Sequence, residues 1–268
     1  MTKVADQDTT ALVTLRDWVR WAASRFNAAG VFFGHGTDNA IDEALALVLH
    51  AISLDHDLPE WLLSSRLTAA EAEAVRTLVG RRVDERVPLP YLTGEARFAG
   101  LRFQVDERVL IPRSPLAEVI EQGYAPWLPP EAITQVLDLC TGSGCIALAS
   151  AWYLPDARVD AVDLSAAALD VAAANCRQLG LEGRVRLLAG DLFTPLQQDA
   201  LAGEGYDLIV SNPPYVGDNE LASLPAEYRH EPRLALAADD DGLAVVLRLL
   251  RQAGRYLRPE GVLMVEVG

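Results

Sequence analysis

Hydrophobic positions recur at intervals of three and four through residues 1–90, and the period then changes twice. Leu15, Trp18, Ala22 and Phe26 fall on one face of a helix that Gly30 ends. Ile41, Leu45, Val48, Leu49 and Ile52 predict a second helix, with Asp38 or Asn39 as its cap. Thr68 and Glu71 have the spacing of a capping box, and Val75, Leu78, Val79 and Val83 form the stripe of the helix it opens. These three helices predict a small N-terminal bundle.

Over residues 91–105 the period changes. Phe98, Leu101, Phe103 and Val105 alternate around Ala99-Gly100, which predicts a hairpin linker. Ser114-Pro115 then reads as the cap and first position of a helix. From residue 136 strands and helices alternate. Strands are predicted at 136–139, 158–162, 185–189, 206–210 and 262–267, and helices near 144–154, 166–179 and 242–257. Ser165 caps the second of these helices and Gly180 closes it. Such alternation implies an α/β fold, a doubly wound parallel sheet over residues 114–268.

Composition narrows the classes. Of 268 residues, 50% are hydrophobic and 23% charged, an ordinary globular balance with no apolar run long enough for a membrane span. Met1–Asp8 is polar and lacks a leader pattern, so a cytoplasmic protein is expected. The net charge of −15 disfavours a broad nucleic-acid footprint. It either suits a basic protein partner or serves solubility alone. Cys140, Cys145 and Cys176 form no Cys-x-x-Cys pair and are expected as small buried thiols. His35, His50, His56 and His230 show no metal-ligand spacing, so no metal is expected.

The candidate chemistry begins where the first predicted strand runs into Asp138-Leu139-Cys140-Thr141-Gly142-Ser143-Gly144. A glycine-rich turn between strand and helix lets the backbone approach a ligand and offers free N–H groups. Asp163, after the second strand, is placed to accept from both hydroxyls of a ribose. Asp191, beside Leu192 after the third strand, is placed to accept from an adenine amino group while its neighbour packs the ring. Gly142-x-Gly144-x-x-Ala147 also satisfies the dinucleotide fingerprint. Asp191, which that fingerprint does not demand, tilts the reading toward S-adenosylmethionine.

The fourth strand ends in Ser211-Asn212-Pro213-Pro214-Tyr215. Ligands of a doubly wound sheet lie at the carboxyl ends of its strands, so this loop belongs to the same crevice. A planar amide nitrogen is a poor nucleophile because resonance ties up its lone pair. The Asn212 side-chain oxygen and the Pro213 carbonyl can each accept one N–H of such a group and aim it at a methyl donor, and Tyr215 can stack on it. Glutamine amides, adenine N6 and guanine N2 all present this NH2, and in isolation Asn-Pro-Pro is also an ordinary turn. A non-enzymatic module that only senses the cofactor is a further reading, in which this loop would be superfluous.

Asn212-Pro213-Pro214-Tyr215 together with the 138–144 loop resembles the class I methyltransferases that modify protein glutamine. Tyr91-Leu92-Thr93-Gly94 and Val109-Leu110-Ile111-Pro112-Arg113 resemble their hairpin linker, and Glu227-Tyr228-Arg229-His230-Glu231-Pro232 with Asp241-Gly242-Leu243 resembles a loop after their catalytic motif. The family has a release-factor branch and a branch acting on large-subunit ribosomal protein three. Ser24-Arg25-Phe26, Gly34-His35-Gly36-Thr37-Asp38-Asn39 and Asp42-Glu43-Ala44 resemble the second. The resemblance, over about residues 12–268, implies domains at 1–90 (helical, substrate recognition), 91–113 (hairpin linker) and 114–268 (methyltransferase). It implies that Cys140, Thr141, Gly142, Ser143, Gly144, Asp163, Leu192 and Asn212 hold S-adenosylmethionine. It also implies that Asn212, Pro213, Pro214 and Tyr215 hold the glutamine of a basic ribosomal protein. Residues 35–39 are read as a helix-entry turn or as part of a docking surface. The family continues past Glu266-Val267-Gly268 with an antiparallel pair of strands, so a bare sheet edge and a destabilised or self-associating chain are expected.

Overall fold

A computed structural model describes residues 9–197 and 205–268; the reading of Met1–Asp8 lies outside the described residues. The chain forms two compact units, Met1–Gly94 with Pro225–His230, and Glu95–Leu224 with Glu231–Gly268.

The first unit is helical: α1 (Leu15–Ala29), α2 (Ala40–Ala51), α3 (Ala69–Asp84) and the single turn α4 (Leu89–Thr93). Thr14 and Asp17 close a capping box on α1, as Thr68 and Glu71 do on α3. Asn39, rather than Asp38, caps α2, accepting from Ile41 and Asp42 N–H. The buried face of α2 is Ala40, Ala44, Leu47, Val48 and Leu49, while Ile41 is 65% exposed. Val48 and Leu49 of the predicted stripe are buried and Leu45 and Ile52 half-buried, while Ala40 and Ala44, which carry little periodic signal, join the buried face in place of Ile41. Trp18, Phe26, Val75 and Val79 complete this core.

The second unit opens with the hairpin β1 (Glu95–Phe98) and β2 (Leu101–Gln104), turning at Ala99-Gly100, both at positive φ. The hairpin is shorter than the alternation predicts, because residues 91–93 belong to α4. After it come α5 (Leu116–Glu121), β3 (Gln135–Leu139), α6 (Cys145–Tyr153), β4 (Arg158–Asp163), α7 (Ala166–Leu179), β5 (Val185–Ala189) and β6 (Tyr206–Ser211). The short α8 (Asp218–Leu221) and α9 (Arg233–Leu236) precede α10 (Ala244–Ala253) and β7 (Leu257–Val265). Ser114, not Pro115, holds the first turn of α5, its Oγ accepting from Leu116 N–H at 3.1 Å.

The five strands form a parallel sheet in the order β5-β4-β3-β6-β7. β3, at the centre, is buried over Val136–Leu139, as a strand covered on both faces must be. Two apolar clusters, one holding Val136, Ile146 and Val159 and the other Leu137, Val162 and Ile209, pack on this sheet. β7 begins earlier than the predicted 262, with a register shift where it meets Tyr206 and Leu208. α10 starts after the predicted 242 because Gly242 has positive φ, which a helix cannot contain, and it ends before 257 because Leu257 already opens β7.

Candidate functional site

β3, β4, β5 and β6 all deliver their carboxyl ends to one cleft. Cys140 and Gly142 follow β3, Asp163 ends β4, Gly190 to Leu192 follow β5, and Asn212 and Pro214 follow β6; all line it. The cleft is open to solvent, with about 850 Å³ of empty space when the solvent at its mouth is included. It lies where the strand order reverses, with β4 on one side of β3 and β6 on the other.

The glycine loop is shaped by positive φ at Cys140, Gly142 and Gly144. For Cys140 this left-handed conformation costs of order 1 kcal/mol, strain that a binding turn can hold. Thr141 N–H donates to Val162 O at 3.0 Å and Gly142 N–H to Asp163 Oδ2 at 2.8 Å, tying the loop to β4. Asp163 Oδ1 accepts from Ser165 N–H at 2.8 Å. Each oxygen keeps a lone pair for a further donor. Burial raises the pKa of Asp163, and the hydrogen bonds from Ser165 and Gly142 pull it back.

Not every residue named from sequence reaches the cleft. Thr141 turns inward and donates to Asp138 Oδ2 at 2.5 Å, Ser143 is buried, and Gly144 packs against Ala172 and Leu148. They shape the turn from behind. Pro213 and Tyr215 are also absent from the lining, and the Tyr215 hydroxyl donates to Glu266. Asp191 lies at the rim, paired with Arg248. Asn212 is different: among the described residues no hydrogen bond engages its side-chain amide.

Beneath the loop, Asp138 is fully buried and accepts from Thr141 Oγ1 and, at 3.1 Å, from Ala147 N–H. Its Oδ1 has no partner among the described residues, and burial pushes its pKa up to about 7. Burial, then the nearby Asp163 and Asp138, pushes the Cys140 thiol up to about 12, so it stays protonated. Cys145 and Cys176 are buried, as expected, whereas Cys140 is only partly buried because it lines the cleft. Among the described residues no cluster of His, Cys, Asp or Glu has metal-binding spacing, and no helix is long and apolar enough to cross a membrane.

Sequence reasoning missed the wall facing the sheet, which is built from Arg108, Val109 and Leu110 and from Pro232, Leu234 and Ala235. The two segments are joined by Glu231, which accepts from Ile111 N–H at 3.1 Å and from both Arg113 guanidinium nitrogens. The bidentate charge pairing of Arg113 and Glu231, in two motifs already noted for resemblance, was the available signal. Leu164 and Leu234 also line the cleft while 59% and 53% exposed, an apolar lip suited to a flat ring. Residues 35–39 form the entry turn of α2: Thr37 Oγ1 donates to Glu43 at 2.5 Å, and His35 packs 4.7 Å from the Tyr228 ring.

The carboxylates, the apolar lip and the glycine turn fit a nucleoside with a cationic tail. A family model described as "Methyltransferase small domain" matches residues 124–226. The chain is 54% identical to a protein of Xanthomonas campestris named ribosomal protein uL3 glutamine methyltransferase, over 96% of this chain and 82% of that one. It is 50% identical to a protein of the same name from Bordetella pertussis, over 96% and 85%. Among solved structures it resembles a SAM-dependent methyltransferase from Agrobacterium tumefaciens at 22% identity and a TM-score of 0.44, covering 64% of this chain and 51% of that one.

Proposed function

The chain belongs to the family of ribosomal protein uL3 glutamine methyltransferases, and from that premise we propose that it methylates a glutamine side-chain amide of uL3 in the cytoplasm. S-adenosylmethionine, when bound, supplies an electrophilic methyl group on a sulfonium. In this reading Asp163 accepts from the ribose hydroxyls, and Leu164 and Leu192 pack the adenine. Asp191 accepts from the adenine amino group, and the 140–144 turn receives the amino-acid end.

The groups that act on the substrate are the Asn212 side chain, the Pro213 carbonyl and the Tyr215 ring. Asn212 Oδ1 and the Pro213 carbonyl accept the two amide hydrogens, which holds the nitrogen in line and raises its electron density. Pro213 and Pro214 stiffen the turn because their φ is fixed. The neutral Cys140 thiol is a poor competitor for the methyl group. A net charge of −15 favours a basic protein over a phosphate backbone.

One observation carries this reading: the Asn212 amide is uncommitted and lines the same cleft as Asp163. Methyl-labelled cofactor with uL3 should put the label on glutamine, located by mass spectrometry, and leave naked RNA unlabelled. Asn212→Ala leaves one substrate N–H unpaired, which costs about 1–3 kcal/mol, most of it as the nitrogen turns pyramidal in the transition state. We expect kcat to fall about 5–150-fold with cofactor affinity retained. Asn212→Asp, which keeps the shape but adds a charge near the sulfonium, is expected to retain binding and lose transfer. Near-normal turnover of Asn212→Ala would remove the assigned role.

A further inference from the structure

Tyr215 is the one member of its loop whose polar group is already engaged, and the engagement is unusually well supported. β7 ends at Val265, yet Glu266 N–H donates to Ser211 O at 3.0 Å, one bond beyond the strand and directly before Asn212. The Glu266 backbone is therefore fixed at the level where the Asn-Pro-Pro-Tyr loop begins. Its carboxylate accepts on both oxygens. Oε1 takes the Tyr215 hydroxyl at 3.1 Å, and Oε2 takes the hydroxyl of Ser114. Ser114 is itself buried and held by Leu116 N–H in the first turn of α5.

The main chain of Tyr215 is secured independently. Val216 N–H donates to Leu236 O at 2.9 Å, and Ala238 N–H donates to Val216 O at 3.0 Å. Gly242, at φ +90, passes so close that a Cβ there would lie 2.0 Å from Tyr215 O. No other residue fits, so the backbone below the ring cannot shift in that direction. The hydroxyl tether then sets where the ring points.

We infer that Glu266 is a positioning residue for methyl transfer, acting through Tyr215, with Ser114 holding its carboxylate; this rests on the function proposed above. A phenol that donates to a carboxylate is not free to move protons for the substrate. Its contribution is the ring face, and donation to an anion makes that face more electron-rich toward the positive charge on the transferring centre. The tether selects one orientation of that face, a gain realised in the transition state and not in cofactor binding.

The test is a double-mutant cycle on the whole chain with uL3 as substrate. Glu266→Ala and Tyr215→Phe each cut the same tether. Each is expected to lower kcat about tenfold while KM for S-adenosylmethionine stays within about twofold. Combined, they should lower it no further than either alone. Glu266→Gln, which keeps an oxygen acceptor for the phenol, should stay within about threefold of wild type. Additive losses in the double variant, or a Glu266→Ala enzyme with normal kcat, would overturn the inference. A 3-fluorotyrosine at position 215 gives a reading that needs no turnover. Its 19F resonance should move in Glu266→Ala and stay near the wild-type position in Glu266→Gln; an unmoved resonance in the alanine variant also overturns it. Should wild type fail to methylate uL3, the proposed substrate falls, and the fluorine resonance alone decides whether Glu266 holds Tyr215.

Discussion

In the helical unit, Arg82 is 1% exposed and meets two carboxylates, Glu43 and Glu227, while its remaining donor reaches Phe32 O at 2.7 Å. Arg86 adds a second cation, 3.4 Å from Glu227. In the sheet unit, Asp138 is as deeply buried, but among the described residues it meets no cation, only a hydroxyl and one N–H, and its second oxygen has no partner. The first arrangement closes on itself and can do nothing but hold the fold. The second leaves capacity unspent beneath a ligand cleft, which is where an uncompensated group can be used.

That contrast can be broken from either side. The largest effect is expected at Arg82: Arg82→Ala leaves buried Glu43 without its cation and Glu227 with Arg86 alone, and removing one partner of a buried pair costs about 3–5 kcal/mol. Urea unfolding should show that loss, while calorimetry finds cofactor affinity unchanged in the folded fraction. A loss under about 1 kcal/mol would mean that water already compensates the cluster. Asp163→Ala should do the reverse, weakening S-adenosylmethionine binding by about 1.5–3 kcal/mol, the range for hydrogen bonds to a charged group. Full affinity in that variant would take Asp163 out of the site, and tight NAD binding would revive the dinucleotide reading.

The smallest effect concerns Asp138 and pH. Its folded pKa, about 7, stands above the ordinary 3.8 because burial penalises the charge. The folded state therefore holds this proton more tightly than the unfolded state. The contribution is fully present below pH 3.8 and is lost as pH rises through about 7. Asp138→Asn removes the titration, so its melting temperature should gain on wild type between about pH 4 and 7 and the gap should level off above that. A gap that stays level over that range would show that Asp138 does not titrate there.

The sheet unit was more legible than the helical one. Its strands are buried on both faces, so Val136–Leu139 and Leu208–Val210 read as short apolar runs, and Ser165 and Gly180 bound α7 where expected. The glycine loop, Asp163, Asp191, Leu192 and Asn212 could be placed because each follows the end of a strand. What escaped has no period. The wall sets the loop 108–110 against Pro232 and the short α9, and Arg113 and Glu231 join them from distant parts of the chain. The engagement of Tyr215 depends on Glu266, 51 residues away, a partner that no local spacing announces. On α2, Val48 and Leu49 were placed correctly, but the buried Ala40 and Ala44 carry too little periodic signal to complete the face.

The six residues Pro225–His230 belong to the helical unit although the chain on both sides of them belongs to the other. The boundary between the units therefore cannot be drawn with a single cut. A gene fragment ending at Gly94 would encode Arg82 without its Glu227, and a fragment starting at Glu95 would carry that glutamate with no arginine to receive it. Exchange of N-terminal units between related enzymes, by recombination or by design, has to move two pieces of sequence together. The ion pair makes these pieces a matched lock, so a new helical unit is accepted only with its own strap.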